Sequence, residues 1–137
     1  MENKTQPPFV FKISFEITYD MFEIILVGAL EGGSNYWYQL HTDEFRKDLV
    51  GSNDEPLSTR IAMTLFTKPD FKMNVYDVES EEDVALGVLT QESMLEAFQI
   101  IHTKWNWHFN NLVTDNHDAE TSDVFFQVAI MKDIVFG

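Results

Sequence analysis

The segment from Phe9 to Tyr19 limits the fold most, because apolar and polar residues alternate strictly along it. A period of two is typical of a strand that buries one face and exposes the other. The sequence therefore predicts a half-buried strand here, with its apolar face turned toward the core. The side chains predicted on that face are Phe9, Phe11, Ile13, Phe15, Ile17 and Tyr19.

Helical periodicity accounts for most of the remaining apolar residues. Asp20, with Glu23 three residues later, predicts the start of a helix that ends at Gly32-Gly33, where glycine accepts a left-handed conformation. Further helices are predicted over residues 56–66, about 91–112, and from residue 118 or 121 onward. Because strands do not alternate regularly with helices, we expect an α+β fold, with about four helices covering a small sheet.

The predicted sheet is mainly antiparallel and has three or four strands. Besides the first segment, residues 35–40, 71–78 and 134–136 are expected to be extended. Residues 1–8 end in two prolines and are expected to form a flexible tail. Residues 9–137 are expected to form a single α+β domain, as the length of 137 residues suggests.

The charge balance narrows the choice of partners. The chain has 23 acidic and nine Lys or Arg residues, a net charge of −14, and a pI near 4.4. Nucleic acids and anionic membranes bind through lysine and arginine, so we expect neither as a direct partner. A host protein with a basic surface fits this charge, although solubility alone also explains it.

The acidic residues are concentrated in two stretches, and each predicts an acidic surface patch. The second stretch lies between Trp105 and Met131, where no lysine or arginine occurs. The first patch comprises Asp77, Glu79, Glu81, Glu82 and Asp83, and the second comprises Asp115, Asp118, Glu120 and Asp123.

No motif for catalysis or for a cofactor is present. The chain has no cysteine, no G-x-S-x-G sequence and no phosphate-binding glycine loop followed by lysine. His102 and His108 are spaced wrongly for one helical face, and His117-Asp118 is interpreted as a helix cap rather than a metal site. We therefore expect no metal and no cofactor, and the sequence favours binding over catalysis.

The stretch GALEGGSNYWYQL, from Gly28 to Leu40, is a candidate binding surface. Glycines before the aromatic residues would let a partner approach the backbone. In an extended segment Tyr36 and Tyr38 would share one face and Trp37 the other, and one of the two faces must be core. The alternative is an aromatic edge strand after a helix cap. The candidate residues are Gly32, Gly33, Asn35, Tyr36, Trp37 and Tyr38.

A second aromatic surface is predicted in the segment KWNWHFNN. Trp105 lies on the apolar stripe of the predicted long helix and is expected in the core. Trp107 lies off that stripe, near Asn110 and Asn111. An exposed indole beside amides can stack on a base, a sugar or a partner side chain, whereas burial at the helix end is the alternative.

Two motifs resemble a family of uncharacterised small acidic proteins of tailed phages and prophages. ALEGGSNYWY contains the E-G-G-x-x-Y-W junction of that family, and DAETSDVFFQVAIMKDIVFG occupies the place of its closing segment. Met131-Lys132 departs from the family pattern, which has an aromatic residue and a glycine there. The resemblance implies no activity. It implies a phage gene product that acts in the cytoplasm of a bacterial host.

Two functions fit these observations. The first is a non-enzymatic binding protein that inhibits a host defence or nucleic-acid-binding protein through its acidic surface. The alternative is a sponge that binds a nucleotide signal with residues 35–39, which requires basic side chains to converge beside Tyr36 or Trp37. Twelve phenylalanines also suggest apolar surface for a homodimer. The basic candidates are Arg46, Lys47, Arg60, Lys68, Lys72 and Lys104.

Overall fold

A computed structural model describes residues 5–137, and it shows an α+β fold as predicted. The described part contains five α-helices and one three-stranded antiparallel sheet. None of these helices is long and apolar enough to cross a membrane. The helices are α1 Tyr19–Gly28, α2 Leu57–Thr67, α3 Gln91–Lys104, α4 Asn106–Val113 and α5 Ala119–Met131, and the strands are β1 Tyr38–Gln39, β2 Met73–Asp77 and β3 Gly87–Leu89.

Helix α1 begins two residues earlier than the sequence predicted, at Tyr19. Thr18, rather than Asp20, is the N-cap, and its side chain accepts a hydrogen bond from the Met21 N–H. A π-helical turn, Ala29–Gly33, extends the helix to the two glycines, where it was predicted to end.

Helix α5 lies at the centre of the molecule and contacts α1, α3, α4 and β3. Each of its residues from Thr121 to Ile130 is buried. A helix buried on all sides is expected to be apolar throughout. Asp123 and Gln127 break that rule, so their polar atoms must find partners inside the protein.

The sheet has the order β1-β2-β3, with Tyr38 opposite Asp77 and Val75 opposite Gly87. Strand β3 was not predicted, because it is short and only its last residue is buried. Gly87 is required there, since a Cβ atom at this position would overlap the carbonyl oxygen of Ile130. The close approach brings β3 directly against α5.

The prediction of a first strand at Phe9 to Tyr19 is wrong. Residues 7–18, called the N-terminal arm from here on, form neither strand nor helix, and Tyr19 already belongs to α1. Within the described chain, no backbone–backbone hydrogen bond joins residues 7–17 to another residue. Alternation shows that a segment suits a strand, but it cannot supply the neighbouring strand.

Three other predicted elements differ from the structure. The long helix breaks at Trp105, where φ is −135° and ψ is 58°, and continues as α4. Residues 35–40 are mostly a turn, and only the two residues of β1 pair with β2. Residues 134–136 are not a strand, because the N–H groups of Val135 and Phe136 bond to the side chain of Gln127.

Candidate functional site

The buried carboxylate of Asp123 accepts four hydrogen bonds. Ser34 Oγ at 2.7 Å and Trp37 Nε1 at 2.8 Å donate to Oδ1, while Tyr36 Oη at 2.6 Å and Gln127 Nε2 at 3.0 Å donate to Oδ2. All four donors are neutral groups. Hydrogen bonds to an ionised acceptor are stronger than neutral ones, so they fix these side chains firmly. We call these five residues the Asp123 cluster.

A turn in the backbone makes this convergence possible. The carbonyl oxygen of Ser34 accepts hydrogen bonds from the N–H groups of Trp37 at 3.1 Å and Tyr38 at 3.3 Å. The chain therefore curls instead of extending, and Tyr36 and Trp37 both reach Asp123. The prediction that these two side chains point to opposite faces is wrong for this reason.

Gln127 ties the C-terminal segment to the cluster. Its Oε1 accepts from the N–H groups of Val135 and Phe136, both at 2.8 Å, and its Nε2 donates to the Phe136 carbonyl at 3.1 Å. The Phe136 ring stacks on the indole of Trp37 with centroids 5.1 Å apart. The two motifs that carried the family resemblance therefore meet at one place.

Burial of its hydroxyl and the hydrogen bond to Asp123 raise the pKa of Tyr36 to about 12. The hydroxyl therefore stays protonated at neutral pH and continues to donate to the carboxylate. The ring of Tyr36 remains exposed. Tyr38 points elsewhere, because its hydroxyl donates to the carbonyl of Leu30 at 2.6 Å.

A groove of ≈ 990 Å³ lies beside the cluster. The break between α3 and α4 brings Trp105 and Trp107 to its wall, and the first turns of α5 supply its acidic side chains. Trp105 is half-buried and packs against the core, although it also reaches the groove wall, whereas Trp107 is 58% exposed. We call this cavity the aromatic groove. The lining residues used below are Tyr36, Trp105, Trp107, His108, Glu120 and Asp123.

His108 also lines the aromatic groove, a role that no motif in the sequence indicated. The residue is only 6% exposed, and its Nδ1 has no hydrogen-bond partner among residues 5–137. An unpaired buried nitrogen is costly, and it marks a place where a ligand could add a hydrogen bond. No group of three His, Asp or Glu side chains in the described chain could hold a metal ion.

The lining of the aromatic groove is acidic. Glu120 and Asp123 belong to it, while none of its residues is lysine or arginine. The nearby Lys104 lies over the ring of Trp105, with Nζ 5.9 Å from the ring centroid. A phosphate group needs positive partners, and the groove walls do not supply them.

Two of the other basic candidates form hydrogen bonds away from the aromatic groove. The guanidinium of Arg60 donates to the carbonyls of Leu49 and Val50, and Lys68 Nζ donates to the carbonyl of Asp48. None of the six basic residues considered for a nucleotide site lines the aromatic groove. They therefore do not converge beside Tyr36.

The first acidic patch forms the loop between β2 and β3. Asp77 is half-buried, and its side chain accepts a hydrogen bond from the N–H of Glu79. The loop starts beside Trp37, because the Val78 N–H donates to the Trp37 carbonyl at 2.8 Å. Among residues 5–137, none of its acids forms an ion pair with lysine or arginine. The exposed acids of this acidic loop are Glu79, Glu81, Glu82 and Asp83.

The four residues of the second predicted patch do not form one acidic surface, because each has a different environment. Asp115 is exposed beside His117, and Asp118 caps α5 by accepting from the Thr121 N–H at 2.9 Å, which lowers the pKa of Asp118. The interpretation of Asp118 as a helix cap is confirmed. Glu120 is exposed in the aromatic groove. Asp123 was wrongly assigned to the acidic surface, because a helix buried on all sides carries it.

Of the remaining candidate residues, some line the aromatic groove and others lie outside it. Trp37 is 1% exposed and belongs to the core, so it offers no surface. Gly33 lines the groove, whereas Gly32 and Asn35 are exposed outside it. Asn110 is also outside the lining, and its side chain bonds within its own helix.

No protein-family model, no curated protein and no solved structure matches this chain.

Proposed function

We propose that this chain is a non-enzymatic binding protein that docks on a partner with a basic surface, and that the aromatic groove takes a cationic side chain of that partner. The carrying observation is the groove lining, which combines Trp105, Trp107 and Glu120 with no lysine or arginine. The faces of aromatic rings attract cations, most strongly those of tryptophan.

Arginine fits this lining better than lysine does. Its planar guanidinium can stack on the exposed indole of Trp107 and still direct N–H donors to the sides. Glu120 can accept one of these donors, and the unpaired Nδ1 of His108 can accept another when it carries no proton. Asp123 has its four hydrogen bonds already, so it contributes through its charge alone.

The resemblance to tailed-phage proteins suggests where this binding takes place. We place the protein in the cytoplasm of a bacterial host, where it inhibits a defence protein or another nucleic-acid-binding protein. Such targets carry basic surfaces for their own substrate. The net charge of −14 and the exposed acidic loop would speed the encounter with a surface of that kind.

The nucleotide sponge is the weaker candidate. Trp107 could stack on a base, as the sequence suggested. However, the groove has two acidic residues and no basic residue in its lining, so a phosphate would meet repulsion there. The sponge needs basic side chains to converge beside Tyr36 or Trp37, and no lysine or arginine lines the groove next to Tyr36.

Calorimetric titration with an arginine-rich peptide tests the proposal. We expect the wild-type protein to bind, and Trp107→Ala to weaken binding about fivefold, since an exposed cation–π contact contributes about 1 kcal/mol. Glu120→Gln should weaken binding by a similar factor. Glu79→Gln is the matched control, because it removes one exposed charge outside the groove.

Two results would reject the proposal. One is an equal response of Glu120→Gln and Glu79→Gln, which would mean that only the overall charge attracts the peptide. The other is a cyclic dinucleotide that binds more tightly than the peptide and loses its affinity in Trp107→Ala. That second result would support the sponge.

A further inference from the structure

The N-terminal arm exposes apolar side chains that a soluble chain normally covers. Phe9 is 105% exposed, Phe11 is 87% exposed and Ile13 is 79% exposed. Isolated exposed apolar residues are common, but a contiguous row of large ones marks an interaction site. The row also alternates with polar residues, which suits one half-buried strand of a sheet.

Within the part of the chain that the structure describes, the inner end of the arm packs against the folded domain. The ring of Phe15 contacts that of Phe109 with centroids 4.8 Å apart. An apolar groove of ≈ 290 Å³ lies between this end and helices α3 and α4. The arm does not fill this second groove, which we call the arm groove. Its apolar lining is Ile13, Phe15, Ile17, Leu95, Phe98 and Phe109.

We propose that the arm pairs with the arm of a second copy of this chain, as an antiparallel two-stranded ribbon with Ser14 opposite Ser14. A two-fold axis at this residue makes the same surface meet itself, as in most symmetric dimers. In this register Lys12 of each copy lies opposite Glu16 of the other. The charges therefore pair twice across the ribbon.

The apolar face agrees with the same register. Ile13 lies opposite Phe15 of the second copy, and Phe11 lies opposite Ile17. Because Ile17 lines the arm groove, Phe11 of the second copy arrives beside that groove and can fill it. A shift of one residue would set apolar against polar side chains, and a shift of two would separate Lys12 from Glu16.

The charge of the arm favours a second copy over a basic partner. Lys12 and Glu16 are its charged residues, so residues 7–18 are neutral in a chain with a net charge of −14. Two copies of such a chain repel each other over most of their surface, and a neutral segment is where they can meet. A basic partner would instead be attracted to the acidic loop.

Sedimentation velocity on the full chain over a series of concentrations tests the pairing. We expect the wild-type protein to dimerise, and Lys12→Glu and Glu16→Lys each to weaken the dimer about tenfold through like charges opposite each other. A mixture of the two variants should recover a dimer with one copy of each, because both pairs are then attractive. Lys72→Glu, an exposed change outside the arm, should resemble the wild type more closely than Lys12→Glu does.

Phe11→Ser provides a second test, since this exposed residue is not part of the folded core. It should abolish the dimer and leave the thermal midpoint of the monomer unchanged. A wild-type chain that stays monomeric, a dimer that ignores the charge changes, or a mixture that stays monomeric would overturn the proposal. The groove mutations above are separate from the arm, so the two proposals can fail independently.

Discussion

At the scale of single residues, Asp123 determines how the site is built. Its carboxylate is buried within helix α5 and accepts hydrogen bonds from three side chains of a distant segment, Ser34, Tyr36 and Trp37. A fourth hydrogen bond comes from Gln127, one turn later on the same helix. A fully satisfied polar network of this kind fixes one arrangement of the core. A half-satisfied network is costly, because each unpaired donor stays buried without water.

We therefore expect Asp123→Ala to lower the free energy of unfolding by about 3 kcal/mol or more, since it leaves several buried donors unpaired. Urea denaturation measures the loss. Glu120→Gln, one turn earlier on the same helix and exposed, should change stability by less than about 0.5 kcal/mol. Equal effects of the two substitutions would show that the cluster does not stabilise the fold.

Tyr36 makes the stability that the Asp123 cluster contributes depend on pH in the alkaline range. Its folded pKa is about 12, above the ordinary value of 10.0, so the folded state favours the neutral hydroxyl. The resulting stability is fully present below pH 10 and is lost as the pH rises through about 12. The stability difference between the wild type and Tyr36→Phe should shrink across this range. A difference that stays constant in denaturation experiments across the range would contradict the account.

At the scale of elements, the helices were largely predictable and the site was not. The spacing of apolar residues is a property of each helix itself, so the sequence located α1, α2 and α5 closely. The turn that joins Tyr36 to Asp123 depends on a residue far away in the chain, and no local pattern encodes it. The strand prediction for the N-terminal arm failed for the same reason, because a strand needs a partner from outside its own segment.

The contact between the π-helical turn and α5 allows a matched pair of glycine substitutions. A Cβ atom on Gly33 would overlap the carbonyl oxygen of Ala119, whereas nothing lies within 4 Å of one on Gly32. We expect Gly33→Ala to cost about 2 kcal/mol through overpacking, and Gly32→Ala to cost less than about 0.5 kcal/mol. Thermal unfolding of both variants checks this. Similar midpoints would mean that the two elements separate easily.

At the scale of the whole molecule, charge is distributed unevenly in a way that suits two kinds of contact. The acidic loop and the aromatic groove face a basic partner in our proposal, while the neutral arm meets a second copy. Long-range attraction between unlike charges mainly raises the rate of association. Close contacts in the groove should instead set how long the complex lasts.

This division can be measured with the arginine-rich peptide. Changing the exposed acids of the acidic loop to their amides should slow association about tenfold and leave dissociation nearly unchanged. Trp107→Ala should show the reverse pattern, with faster dissociation. Stopped-flow fluorescence resolves the two rates. If loss of the loop charges changed only dissociation, the loop itself would be the contact site.

The most direct test of the groove is a titration of the labelled protein with the same peptide, followed through the N–H signals of its three indoles in two-dimensional NMR. Trp107 lies exposed in the groove wall, Trp105 is half-buried beside it, and Trp37 is buried as an internal reference. We predict that the Trp107 signal shifts most and that of Trp37 remains still. Shifts confined to the amides of the acidic loop, with all three indoles unchanged, would contradict a cation-binding groove.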